Sequence, residues 1–134
     1  RVPDTKRTLL NEVFGATVER IDVEVHQGDW LVFHVVNNRL RWGGARYFAV
    51  AGLKEGSGTA FTTERATGRW TRCDDPAQAA AFIADPRFLD HQPVLAIDTP
   101  WDQGDSLMNQ NADGWRGSAV WGEARSTWIR FVAR

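Results

Sequence analysis

Hydrophobic and polar residues alternate with the period of a β-strand in several short segments of this chain. Ile21, Val23 and Val25 occupy every second position near the end of residues 18–25, which predicts a strand with one buried face. Residues 30–36 are apolar on both faces and rich in β-branched and aromatic side chains, so we expect a central strand there. Because a Gln-Gly-Asp turn separates the two segments, they are predicted to form a hairpin.

Further segments with strand-like composition follow along the chain, at residues 47–51, 60–63, 69–72, 93–97, 118–121 and 127–132. A short linker separates the last two segments, so we expect these to pair with each other. Seven or eight short strands at this spacing predict a mostly β protein, built as an antiparallel β-sandwich or jelly roll. The side chains expected in its core are those of Leu31, Phe33, Val35, Phe48, Val50, Ile97, Ile129 and Phe131.

One segment has the signals of a helix. Pro76 suits the first helical position, Asp74 or Asp75 can cap it, and Pro86 ends it. We therefore predict one short helix over residues 76–84, inserted as a plug or corner of the β-sandwich.

The composition is that of one globular domain. The chain has 134 residues, of which 43% are hydrophobic and 25% are charged, and such a chain can bury a sizeable core without disulfides. We expect a single domain over residues 1–134, with residues 1–12 as a lead-in segment. A formal net charge of −1 gives no general attraction for nucleic acid. No apolar run approaches the ~20 residues of a membrane span, and Cys73 alone can form neither an intramolecular disulfide nor a cysteine zinc site.

A polar loop at residues 98–115 is the strongest candidate for a metal site. It carries four aspartates, two asparagines and two tryptophans. Ca²⁺ requires several oxygen ligands from a compact loop, and the candidate ligands are Asp98, Asp102 and Asp105. The alternative is that these residues only build turns, since the spacing is not that of an EF-hand.

The start of this loop, DTPWDQGDS at residues 98–106, resembles the calcium loop of the bacterial galactose-binding lectins. In that family of small β-sandwiches, calcium bridges the protein and the sugar hydroxyls. The resemblance implies that Asp98 is a calcium ligand and that Asp102 replaces a threonine of the family. It also implies that Asp105 and Ser106 replace a pair of asparagines. The family's sugar-contacting histidine has no counterpart that we can place in this chain.

A second loop, residues 37–44, combines one tryptophan, two arginines and two asparagines. In a carbohydrate or peptide groove, an aromatic ring contacts the apolar face of the ligand and planar polar groups bind its polar atoms. The alternative is that Arg41 stacks on Trp42 at the surface and the asparagines only form a turn. Taking both loops together, the predicted ligand contacts are Asn38, Arg41, Trp42, Trp101 and Trp115.

Motifs for catalysis are absent from the sequence, which has no nucleophile elbow, P-loop, HExxH or dinucleotide glycine fingerprint. Cys73 with a histidine is the one nucleophile–base pairing worth naming, and we predict no catalytic residues. The sequence favours a non-catalytic carbohydrate-binding module with calcium as its candidate cofactor. Because the chain begins without methionine, we expect it to come from a larger or processed bacterial protein that is secreted, periplasmic or on the cell surface. The alternatives are a protein–protein assembly module of the same fold and a small hydrolase using acids of residues 98–113.

Overall fold

The computed structural model describes residues 20–36, 48–56, 58–64, 69–88, 92–93, 95–96, 112 and 115–133. Within these ranges the strands are β1 (Trp30–Val36), β2 (Ala51–Lys54), β3 (Gly58–Thr62), β4 (Trp70–Cys73), β5 (Gln92–Pro93), β6 (Leu95–Ala96), β7 (Val120–Trp121) and β8 (Ser126–Val132), and the helix is α1 (Ala79–Ala84). The prediction of a mostly β protein with one short helix is confirmed. The sandwich or jelly-roll arrangement stays a prediction, and the proposed lead-in segment lies outside the described residues.

The strands form antiparallel sheets. The largest sheet has the order β1-β8-β4-β5, while β2 with β3 and β6 with β7 form two-stranded sheets. β1 and β8 pair along their whole length, from Trp30 opposite Val132 to Val36 opposite Ser126. The largest sheet therefore joins strands from opposite ends of the described chain.

One face of the largest sheet carries the hydrophobic core. Ile129 and Phe131 of β8 are buried there as predicted, together with Trp70 of β4 and Val120 of β7. The partly buried side chains packed against this cluster are those of Leu31, Phe33, Val35, Phe48, Val50, Phe61 and Ala133. Of the expected core residues, Ile97 lies outside the described residues. Alternation along β8 thus separates core-facing side chains from those of the opposite face, as its sequence predicts.

Helix α1 lies against the opposite face of the largest sheet. Arg130 of β8 donates two hydrogen bonds from Nη1, to the carbonyl oxygens of Phe82 at 2.9 Å and of Asp85 at 2.8 Å. Its guanidinium carbon is 4.2 Å from the centroid of the Phe82 ring. Trp30 of β1 donates its indole N–H to the carbonyl of Ile83 at 2.8 Å. The last carbonyl groups of a helix have no N–H partner within the helix, and here side chains of the sheet donate hydrogen bonds to them.

The helix begins later than its sequence signals predict. Residues 76–78 form a turn, in which the Asp75 carboxylate accepts a hydrogen bond of 2.9 Å from the backbone N–H of Ala77. The N-cap is Gln78, whose side chain makes no capping hydrogen bond. Asp75 therefore caps the turn that precedes α1, and the helical residues start at Ala79.

The strand predicted at residues 18–25 is wrong over its described part. Residues 20–26 have no strand conformation, and Ile21 and Val23 are 46% and 38% exposed. Alternation supplies one apolar face, but a strand also needs a neighbour for its backbone N–H and C=O groups. No described strand takes that place beside residues 20–25.

Neither of the two predicted hairpins forms. β1 pairs with β8 instead of residues 20–25, and hydrogen bonds from Gly28 to Ala133 and from Ala133 to Asp29 extend this pairing into the preceding turn. β7 pairs with β6 rather than with β8, because β1 and β4 occupy both edges of β8. In both cases, the rule that strands adjacent in sequence pair with each other predicts the wrong partner.

The third predicted strand, residues 47–51, also differs from the structure, in which β2 begins only at Ala51. The described residues before β2 are nevertheless tied to the fold by backbone hydrogen bonds. The carbonyl of Phe48 accepts from the N–H of Val120, and the carbonyl of Val50 accepts from the N–H of Thr63, both at 2.9 Å. These residues thus contribute side chains to the core without belonging to a strand.

Candidate ligand-binding site

Most residues predicted to bind a ligand or a metal lie outside the described part of the chain. These are Asn38, Arg41, Trp42 and Trp101 for the ligand, and Asp98, Asp102 and Asp105 for calcium. The described residues contain no group of three or more His, Cys, Asp or Glu side chains that could hold a metal ion. The calcium hypothesis therefore continues to rest on the sequence.

Trp115 is the predicted ligand contact that the structure describes. Its side chain is 5% exposed and packs with Ala112 against the partly buried Ala49 and Ala51. Gly117 leaves room for the ring, because a Cβ atom at this position would lie 2.9 Å from the indole nitrogen. The indole N–H has no acceptor among the described residues. This burial favours a packing role, and contact between Trp115 and a ligand stays a prediction.

The described residues that flank the two predicted loops lie close together. The first loop is followed by Phe48, whose carbonyl accepts a hydrogen bond from Val120. The second loop follows β6, in which Ala96 is paired with the same Val120. Trp115, at the end of the second loop, belongs to the cluster that includes Ala49. Phe48, which follows the first loop, and Ala96, which precedes the second, therefore both lie beside β7.

An open depression beside β3 is the candidate site within the described residues. It has a volume of about 210 Å³. Its aromatic lining is formed by Phe61, Trp70 and Phe131, and its polar lining by Thr59, Thr62, Glu64 and Arg69. β3, β4 and β8 each contribute one of the aromatic rings. Trp70 and Phe131 are only 2% and 1% exposed, so the accessible aromatic surface of the depression is that of Phe61.

The aromatic rings hold one another in place. Phe61 stacks on Phe131 with ring centroids 4.2 Å apart and an interplanar angle of 18°. Trp70 lies directly opposite Phe131 in the pairing of β4 with β8, and their centroids are 4.9 Å apart. The Trp70 indole donates to the carbonyl of Thr62 at 2.9 Å. Gly52 of β2 leaves the space for Phe61, because a Cβ atom there would overlap the ring.

The polar side chains supply both donors and acceptors. Thr62 donates its hydroxyl hydrogen to the Glu64 carboxylate at 3.0 Å, which orients that carboxylate. The guanidinium carbon of Arg69 lies 4.8 Å from the centroid of the Phe131 ring, within the range of a cation–π contact. Among the described residues, one carboxylate and one guanidinium line the depression.

Cys73 and His34, one of the three histidines that could serve as its base, both have structural partners. His34 stacks on Trp128 with centroids 4.4 Å apart, and its Nε2 is 2.7 Å from the hydroxyl oxygen of Ser126. Cys73 is 4% exposed and its thiol donates to the carbonyl of Asp75 at 3.5 Å. We therefore assign neither residue a catalytic role.

Comparison with protein-family models, with curated proteins and with solved structures finds no match for this chain. The resemblance to the galactose-binding lectins therefore rests on the loop sequence alone. Helices with the length and hydropathy of a membrane span are absent from the part of the chain that the structure describes.

The residues of the depression were missed by sequence reasoning. Glu64 and Arg69 flank the connection between β3 and β4, and an acid and a base on either side of such a connection are the one local signal that points to them. Their position over aromatic rings depends on Phe131, which arrives from the other end of the described chain. No pattern within one segment shows that arrangement.

Proposed function

We propose that this protein is a non-catalytic domain that binds carbohydrate. The observation that carries the proposal is the depression beside β3, where Glu64 and Arg69 line an open hollow beside the partly buried ring of Phe61. Carbohydrate recognition uses an aromatic surface for the C–H face of a sugar and planar polar groups for its hydroxyls. The volume of about 210 Å³ is below the ~300 Å³ at which pockets for drug-sized ligands begin. It suits one sugar unit of a larger glycan.

A binding role is favoured over hydrolysis by the number of carboxylates at the depression. Glycosidases generally use two carboxylic acids on opposite sides of the bond that is cleaved. Glu64 is the one acidic side chain among the described residues that line the depression. It is suited to accept hydrogen bonds from sugar hydroxyls, and the described part of the lining offers no second carboxylate to share acid and base roles with it.

Calcium and the two loops belong to the same proposal. Asp98, Asp102 and Asp105 are the proposed calcium ligands, because a divalent cation would relieve the repulsion among carboxylates in one loop. Further sugar contacts are proposed for the loop side chains of Asn38, Arg41, Trp42 and Trp101. The proposal places the domain outside the cytoplasm, as part of a larger or secreted bacterial protein. Support for these parts comes from the sequence and from the lectin resemblance.

A glycan array probed in the presence of calcium and of a chelator tests the proposed function. We expect the protein to bind a small group of related glycans. Glycan binding that disappears in chelator would support the calcium site. Binding that persists in chelator would show that calcium is not needed, and the depression would remain the proposed binding site. Failure to bind any glycan in either condition contradicts the proposal, and a copurifying protein partner would then favour the assembly module.

A further inference from the structure

Two aspartate–proline peptide bonds flank helix α1. The Asp75–Pro76 bond lies in the turn before the helix, and the Asp85–Pro86 bond follows its last residue. A peptide bond to proline is a tertiary amide, and a preceding aspartate can attack its own carbonyl carbon to form a cyclic anhydride. Aspartate–proline bonds are for this reason readily cleaved in dilute acid. The chain therefore has two sites at which the same reaction can occur.

The local geometry of the two sites is the same. At both, the backbone N–H two residues after the aspartate donates to its Oδ1 at 2.9 Å. This Asx turn holds the carboxylate beside the peptide bond that follows it. At both, the backbone N–H three residues after the aspartate donates to its carbonyl oxygen at 3.0 Å. Each aspartate–proline bond is therefore a matched reference for the other.

Arg130 distinguishes the two sites. Its Nη1 donates to the carbonyl oxygen of Asp85 at 2.8 Å, and the residue is 1% exposed. The carbonyl oxygen of Asp75 accepts instead from the neutral thiol of Cys73 at 3.5 Å. Attack on a carbonyl carbon places negative charge on its oxygen, and a buried cationic donor stabilises that charge more than a neutral donor does. The Asp85 carbonyl thus has a preformed oxyanion site, made by Arg130 and the N–H of Phe88.

We propose that the Asp85–Pro86 bond is a self-cleavage site of this chain. Oδ2 of Asp85 forms a bond to the carbonyl carbon of the same residue, and the oxyanion that results is held by Arg130 and Phe88. The C–N bond then breaks, and the nitrogen of Pro86 leaves with a proton taken from the acidic solvent. Water opens the cyclic anhydride, so that Asp85 becomes a new C-terminus and Pro86 a new N-terminus.

The surroundings of Asp85 suit its carboxylate to act as the nucleophile. The hydrogen bond from the backbone N–H of Arg87 holds the pKa of this carboxylate below its ordinary value, and the charges of Arg87 and Arg130 act in the same direction. The carboxylate therefore stays ionised in mildly acidic solution, where a proton for the leaving nitrogen is available. The side chain of Asp85 is 47% exposed, so solvent water can reach the anhydride.

Cleavage at this bond divides the largest sheet between two chains. β1 to β4 and α1 precede the bond, and β5 to β8 follow it. β8 pairs with both β1 and β4, and β5 pairs with β4. The product is therefore expected to be a folded protein of two chains held together by strand pairing.

Intact-mass spectrometry of the full chain during incubation in mildly acidic buffer tests the proposal. Far-UV circular dichroism first identifies a pH at which the protein is folded. We expect fragments 1–85 and 86–134 to form about tenfold faster, or more, than fragments 1–75 and 76–134. In guanidinium chloride at the same pH the contact with Arg130 is lost, and the two bonds are expected to be cleaved at similar rates.

Three variants separate the roles of the donor and the nucleophile. Arg130→Met is expected to bring the ratio of the two cleavage rates close to one, and because both bonds are in one molecule, unfolding of this variant leads to the same expectation. Asp85→Ala is expected to abolish cleavage before Pro86 and to leave cleavage after Asp75. The control is Arg20→Met, whose side chain is 85% exposed in the original chain, and which is expected to leave the ratio unchanged.

Three results would overturn the proposal. The first is a folded chain that is not cleaved after Asp85, or is cleaved there no faster than after Asp75. The second is a preference for the Asp85–Pro86 bond that persists in Arg130→Met, which would show that Arg130 does not stabilise the oxyanion. The third is cleavage before Pro86 in Asp85→Ala, which would exclude the Asp85 carboxylate as the nucleophile.

Discussion

Replacing Arg130 by methionine tests how α1 is held against the sheet. Arg130 is 1% exposed, and its Nη1 donates to the carbonyls of Phe82 and Asp85. Pro86 stands four residues after Phe82 and has no N–H, so the normal helical hydrogen bond to the Phe82 carbonyl cannot form. Methionine retains a long apolar side chain but has no donor. The variant therefore removes the donor on which the Phe82 carbonyl depends.

The expected change in the free energy of unfolding for Arg130→Met is the sum of opposing contributions. Each hydrogen bond from the charged group contributes about 1.5–3 kcal/mol, and the contact with the Phe82 ring at 4.2 Å contributes about 0.5–2 kcal/mol. Burying the guanidinium costs several kcal/mol, which methionine avoids. This burial also lowers the pKa of Arg130, against the opposing charge of Asp85. The Phe82 carbonyl remains buried without its donor, whereas the Asp85 carbonyl still accepts a hydrogen bond of 3.0 Å from the N–H of Phe88. We therefore expect a net loss of about 2–4 kcal/mol in the free energy of unfolding, chiefly from the Phe82 carbonyl.

Urea unfolding followed by far-UV circular dichroism and tryptophan fluorescence measures this loss. The control is Arg87→Met, because Arg87 is 89% exposed and its ion pair with Asp85 at 3.3 Å is on the surface. Its expected cost is about 0–1 kcal/mol. A loss below about 0.5 kcal/mol for Arg130→Met, or a gain in stability, would refute the reasoning, because desolvation would then cancel the hydrogen bonds.

Three further predictions concern the loops, calcium and pH. Trp42→Ala is expected to abolish glycan binding with little loss of stability. Trp128→Ala removes the stack on His34 and is expected to lower the free energy of unfolding by about 2–4 kcal/mol. Binding assays and urea unfolding of both variants test this difference, and the reverse pattern would show that Trp42 is structural. Calcium at about one hundred times its Kd is expected to add about 2.7 kcal/mol of stability, so equal thermal midpoints in calcium and in chelator would contradict the metal site. The hydrogen bond from the backbone N–H of Arg87 holds the pKa of Asp85 below its ordinary value. The ionised Asp85 carboxylate therefore stabilises the folded state above pH ~4, and this stabilisation is lost as the pH falls through the folded-state pKa. Urea midpoints across the acid range should show a shallower decline for Asp85→Asn than for the original chain, and parallel declines would exclude Asp85 as the cause.

Local sequence patterns predict the strands of this protein better than the partners of those strands. Thr127, Ile129 and Phe131 of β8 are buried at every second position, and this alternation is readable within the segment, although Arg130 on the opposite face is buried as well. The pairing of β1 with β8 joins residues about one hundred positions apart, with Phe33 opposite Ile129, and no local pattern specifies it. Ile21 and Val23 alternate as a strand would, but the structure forms no strand there and leaves both side chains exposed, so a clear local pattern can also mislead.

The candidate site was hidden from sequence reasoning for the same physical reason. Tryptophans in turns favour the two loops as binding sites, yet Trp115, the one of these tryptophans that the structure describes, is buried. Glu64 and Arg69 look like ordinary surface residues in the sequence. They become a candidate site only because strand pairing brings Phe131 beside Phe61 and Trp70.

The most direct measurement of the central claim is a titration of the glycan identified on the array into three forms of the protein. These are the original chain, Glu64→Ala in the depression and Glu55→Ala in the exposed turn before β3. Tryptophan fluorescence follows binding, since Trp70 lines the depression. Loss of a hydrogen bond to a charged acceptor predicts affinity about tenfold lower or weaker still for Glu64→Ala, with Glu55→Ala binding as the original chain does. Equal affinities for all three proteins would contradict the claim that this depression binds carbohydrate.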